Sequence, residues 1–100
     1  MFAEYLRAFT LPGTIRAGLE DYRAAATRDF EDDERDLAQR IACPLLAIWG
    51  ELGKMHKLFD VLATWREKAL DVHGRALVCG HFIPEEAPQE LVAELRAFLV

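Results

Sequence analysis

Hydrophobic positions change their period near Pro44, and that change divides the chain. Before it, Phe2, Tyr5, Leu6 and Phe9 recur every three to four residues, as on an amphipathic helix. Thr10-Leu11-Pro12-Gly13 interrupts the stripe, and Pro12 sits where a second helix can begin. Ile15, Leu19, Tyr22 and Ala26 then keep helical spacing, with Glu20, Asp21, Arg23 and Arg28 mostly off that face. A dense acidic run follows in Asp29, Glu31, Asp32, Asp33, Glu34 and Asp36. Without a central glycine or a nearby histidine it reads as a solvated loop or helix face, not as a metal site.

After Pro44 the period shortens. Leu45-Leu46-Ala47-Ile48-Trp49 is a continuous apolar run closed by Gly50, the pattern of a strand buried on both faces of a parallel sheet. Leu58, Val61, Leu62 and Trp65 then share one helical face, with Asp60, Arg66, Glu67 and Lys68 off it. Gly74 punctuates, and Ala76-Leu77-Val78-Cys79 forms a second short strand ending at Gly80. Leu91, Val92, Leu95, Phe98 and Leu99 give a last amphipathic helix with Pro88 near its first turn. Strand, helix, strand, helix is an α/β pattern: a right-handed βαβ unit with a covering helix. Two parallel strands do not make a stable sheet alone, so the pattern predicts the tail of a larger α/β protein.

Composition narrows the partners. Seventeen acidic against twelve basic residues give a net charge of -5, a surface that repels phosphate backbones and anionic membranes. No apolar run approaches the roughly 20 residues of a membrane span, and no basic segment precedes an apolar one at the N-terminus. Two cysteines, Cys43 and Cys79, are too few for a disulfide framework and lack metal-ligand spacing. A cytoplasmic, reduced protein is the expectation, with no nucleic-acid and no membrane partner. The cysteines fall at opposite ends of the predicted parallel pair, about 17 Å apart, and should both be free.

Ligands of open parallel sheets bind beyond the carboxyl ends of the strands, where two loops emerge. The first, Gly50-Glu51-Leu52-Gly53-Lys54-Met55, is not a phosphate loop. Ile48 stands where that motif needs its first glycine, and Met55 stands where it needs Ser or Thr. The second, Gly80-His81-Phe82-Ile83-Pro84-Glu85-Glu86, puts a histidine directly after a strand-ending glycine. Imidazole there suits proton transfer near neutral pH, against the alternative of an ordinary loop histidine. His56 and His73 have no comparable placement.

These residues carry a resemblance. Cys43 to Val100 resembles the C-terminal end of an α/β-hydrolase, in which the catalytic histidine follows the last strand in a Gly-His context and a helix closes the domain. Gly80-His81-Phe82-Ile83-Pro84-Glu85-Glu86-Ala87-Pro88 is similar to the haloacetate (fluoroacetate) dehalogenase branch. So are Glu20-Asp21-Tyr22-Arg23-Ala24, Asp29-Phe30-Glu31, Pro44 to Gly50 and Trp65-Arg66. The resemblance implies that His81 is the catalytic base, activating water to hydrolyse an ester between substrate and an aspartate nucleophile. It implies that Tyr22 lines the substrate's halogen pocket, where a phenol donor would stabilise departing halide. Packing on the Ile15–Leu19 face is the alternative for Tyr22. The implied division is a helical cap remnant with its return to the core over 1–40, and the C-terminal βαβα part of the core over 41–100. The implied substrate is a short haloacid, no metal or organic cofactor is required, and a homodimer is compatible.

Two departures matter. Many α/β-hydrolases carry the triad acid three residues beyond the glycine that ends the penultimate strand, and here that position is Gly53. Dehalogenases of this branch resemble the sequence in taking that acid from elsewhere. The nucleophile elbow, a Gly-x-Asp-x-Gly turn with its arginines, does not occur in these hundred residues, so His81 has no nucleophile to serve and the chain alone should be inactive. An epoxide or ester hydrolase of the same fold, or an inactive truncated remnant, are the alternatives.

Overall fold

The computed structural model describes residues 1–100, which form two compact units, Met1–Ala38 and Gln39–Val100. The first holds three helices: α1 (Phe2–Phe9), α2 (Thr14–Ala25) and α3 (Arg28–Arg35). Pro12 does not open α2 as its position suggested. The chain reverses at Gly13, which takes the left-handed conformation (φ 85°) open to glycine, and the helix starts at Thr14. Threonine hydroxyls serve the carbonyls at the end of α1: Thr10 Oγ1 donates to Leu6 O at 2.9 Å and Thr14 Oγ1 to Ala8 O at 3.2 Å. The acidic run is helical. Asp32 accepts a hydrogen bond from Arg28 at 2.8 Å and forms an ion pair with Arg35 at 2.8 Å, and the Arg28 hydrogen bond chiefly holds its carboxyl below the usual range. No residue of α1, α2 or α3 is buried.

The second unit runs β1 (Leu45–Gly50), α4 (Met55–Leu58), α5 (Val61–Lys68), β2 (Val72–Leu77), α6 (Ile83–Glu86) and α7 (Pro88–Leu99). The strands are parallel, in register from Leu45 opposite Val72 to Gly50 opposite Leu77. The βαβα order expected from the apolar runs is therefore present, with β2 displaced from its expected place. It begins at Val72, passes through Gly74 and ends at Leu77. Gly74 is inside the strand because only glycine fits: a Cβ there would lie 1.8 Å from the Ala47 carbonyl oxygen, and φ is 148°. Beyond β2 the Cys79 N–H donates back to Leu77 O at 2.8 Å, so the apolar run leaves the ladder instead of extending it.

The helix expected between the strands is broken in two. Phe59 is extended, and Asp60 then caps α5 by accepting the Ala63 N–H at 2.9 Å. At the other end of α5 the Arg40 guanidinium donates to the carbonyls of Arg66 and Glu67, a cation at the negative end of a helix. Pro88 opens α7, as its position in the sequence suggested.

The core is small: Ala47, Ala69, Leu77, Cys79 and Ala87 are buried, with Ile48 and Ile83 packed partly against them. The expectation that β1 is buried on both faces is not met. Only Ala47 and Gly50 of that strand are buried, because a two-stranded sheet has too few neighbours to cover both faces. Both cysteines are free, Cys43 exposed and Cys79 buried. Burial pushes the Cys79 thiol above its ordinary pKa, and the charges of Glu86 and Glu90 add to it. Thiol titration of the folded protein should therefore modify Cys43 alone, with Cys79 reacting after denaturation. Equal native reactivity would contradict this core.

Candidate active site at the strand ends

The two loops that leave the carboxyl ends of β1 and β2 touch. Gly50, the last residue of β1, packs so tightly on the second loop that a Cβ would lie 1.8 Å from the Gly80 carbonyl oxygen and 2.6 Å from that of Cys79. Two main-chain hydrogen bonds fasten the pair and a third braces the first loop. Glu51 N–H donates to Leu77 O at 2.8 Å, Leu52 N–H to Cys79 O at 3.0 Å, and Gly53 N–H closes its own loop on Gly50 O at 3.1 Å. Glycine is required at Gly50 by this close approach of backbone to backbone.

Between the loops lies a cleft of about 140 Å³, lined by Ile48, Trp49, Gly50, Gly53, Lys54, Met55, His81 and Ile83. Its chemistry is uneven. Apolar walls come from β1 and the start of α6, while His81 and Lys54 are its ionisable groups. His81 is exposed, and its ring meets Phe82 edge-on, with centroids 5.3 Å apart and planes at 78°. The site thus offers one imidazole able to exchange a proton with a small ligand beside an ammonium group.

Of the other histidines, His56 lies on α4, and His73 on β2 pairs with Asp71 at 2.9 Å. His73 borders a separate groove with Pro44, Leu46, Arg75, Glu94 and Phe98, away from the carboxyl ends of the strands. Tyr22 belongs to the first unit, on α2, and is 81% exposed. Its phenol is open to a ligand or to further protein. Lys54 and Glu86 went unread in the sequence: one sits in a loop dismissed as a phosphate loop, the other among the solvated acids of an acidic chain. Glu86 accepts hydrogen bonds from the main-chain N–H groups of Gly80 at 2.6 Å and Phe82 at 3.1 Å.

A parallel strand pair with glycine-led loops at its carboxyl ends, a histidine on the second and a closing helix is the C-terminal architecture of the α/β-hydrolases. Sequence comparison agrees. The chain is 35% identical over 96 residues to the fluoroacetate dehalogenase of a Burkholderia species, covering 96% of this chain and 32% of that protein. It is 38% identical over 91 residues to the soluble epoxide hydrolase of Corynebacterium sp. strain C12, covering 90% of this chain and 30% of that one. Its fold superposes on a Nostoc sp. PCC 7120 protein assigned to the α/β-hydrolases with a TM-score of 0.93 and 56% identity, over 98% of this chain and 34% of the other. No family model matches. The chain has the fold of the C-terminal part of an α/β-hydrolase and spans about a third of the length of the relatives it matches.

Proposed function

We propose that this chain supplies the water-activating base of a hydrolase that works through an aspartyl ester, and that His81 is that base. The observation that carries the reading is the placement of His81, four residues beyond the end of β2 in a cleft walled by the preceding strand-end loop. In the first step an aspartate carboxylate supplied by the remainder of a hydrolase attacks the substrate carbon. The carbon–halogen bond breaks, and halide leaves with its electron pair. In the second step His81 removes a proton from water as that water attacks the ester carbonyl. Ester cleavage then returns the aspartate carboxylate and releases a hydroxy acid, with the proton passing from His81 to solvent.

The substrate we favour is a short 2-haloacid, with Tyr22 donating to the departing halide. The 35% identity to a fluoroacetate dehalogenase and the resemblance of Gly80 to Pro88 to that branch support this choice. A second reading, epoxide opening by the same two steps, draws equal support from the identity to an epoxide hydrolase. By itself the chain is inactive in either reading, because the ester-forming aspartate lies outside it.

Two hybrids separate the readings. In each, the hundred residues replace the matching third of a relative, either the Burkholderia dehalogenase or the Corynebacterium epoxide hydrolase. The dehalogenase hybrid should release halide from a haloacetate with repeated turnover, and the chain alone should release none. Turnover confined to the epoxide hydrolase hybrid would transfer the assignment to epoxides. Two inert but folded hybrids would defeat the proposal.

A further inference from the structure

His81 is held between two hydrogen bonds that converge on one side chain. Glu86 Oε2 accepts the Gly80 N–H at 2.6 Å, and Oε1 accepts the Phe82 N–H at 3.1 Å, so its carboxylate ties together the Cys79–Gly80 and His81–Phe82 peptide units that bracket the histidine. The Glu86 N–H also donates to Phe82 O at 3.0 Å, closing a reciprocal ring between α6 and the loop. Gly80 is shaped for this contact: a Cβ there would stand 2.7 Å from both carboxylate oxygens. On the opposite side the same segment rests on Gly50 and Leu52. An ionised carboxylate accepting two main-chain N–H groups makes shorter, stronger bonds than neutral acceptors do.

We propose that Glu86 is a positioning residue for His81. It fixes the Cys79–Gly80 and His81–Phe82 peptides that bracket the histidine and so aims the imidazole into the cleft. Its catalytic purpose rests on the base role given to His81 above. Glu86 touches no substrate and takes no proton. It acts through backbone direction, where a displacement of about 1 Å costs on the order of a hundredfold in rate.

The clamp is tested on the full hundred-residue chain by hydrogen exchange read by mass spectrometry. Glu86→Ala should expose both the Gly80 and Phe82 amides, seen as faster uptake in the Val78–Ile83 segment, with β1 and β2 unchanged. Glu86→Gln keeps one acceptor oxygen and should expose only one amide. Full exchange of that segment in the unaltered chain at the earliest time, or no difference between the variants, overturns the clamp. The catalytic consequence is read in the dehalogenase hybrid. There Glu86→Ala should slow ester breakdown by about tenfold to a hundredfold while leaving ester formation unchanged, and Glu86→Gln should recover part of the loss. Equal loss in both steps would mark Glu86 as merely structural and overturn the positioning role. Failure of His81→Gln to arrest the ester would instead defeat the base reading and with it the clamp's catalytic purpose, leaving the exchange result to judge the clamp alone.

Discussion

His81→Gln in the dehalogenase hybrid should stop turnover after a single event. The first step needs only the carboxylate nucleophile and a stabilised leaving group, so halide should appear once per site at close to the unaltered rate. The second step needs a base, and losing it should slow ester breakdown by about a hundredfold to ten-thousandfold. Rapid-quench measurement of halide against time checks this: a burst of one equivalent followed by near silence. Tyr22→Phe should give the opposite pattern, a slower burst with ester breakdown unchanged, because its proposed donor faces the leaving group. A His81 variant that turns over normally would remove the residue from the mechanism.

The hundred residues alone should self-associate. Each strand of the β1–β2 pair has one unpaired edge, the arrangement that recruits further strands. Around it Leu52, Val78, Phe82 and Leu99 are each at least two-thirds exposed, and covering one such side chain fully is worth about 1.5–3 kcal/mol. The three helices of the first unit bury nothing either. Sedimentation should show concentration-dependent assembly, and an apolar dye should bind strongly, more so than to a folded hybrid of the same concentration. A monomer with a sharp, cooperative thermal transition and no dye binding would contradict this picture of the sheet.

The fold class was legible in the chain because two short apolar runs, each closed by glycine and separated by helical spacing, leave few alternatives to parallel strands. Boundaries were less legible where one glycine decides them. Gly74 reads as punctuation in the sequence, yet it lets β2 pass the Ala47 carbonyl, a contact set by the partner strand and invisible in local pattern. Gly13 likewise shifted the start of α2 past Pro12. The exposed state of β1 follows from the number of strands and not from its composition, which is that of a strand meant for burial on both faces. The place of His81 on the loop beyond β2, at the cleft, was legible from its position after Gly80. Glu86 was not, since nothing local distinguishes an acid that accepts two peptide N–H groups from the solvated acids around it. Nor did the sequence show that Gly50 is pinned against Gly80, a contact across twenty-nine intervening positions of chain that builds the cleft wall.

The central claim is that His81 is the base of the second step and nothing more. Intact-mass measurement of the His81→Gln dehalogenase hybrid, taken after incubation with a haloacetate, tests it most directly. The account predicts a population shifted by the mass of one substrate residue less halide. Fragmentation should place that adduct on an aspartate outside these hundred residues, and it should be absent when His81 is intact because the ester turns over. A folded His81→Gln hybrid that carries no adduct while the unaltered hybrid turns over would contradict it, since His81 would then be needed for the bond-breaking step or for the site's architecture.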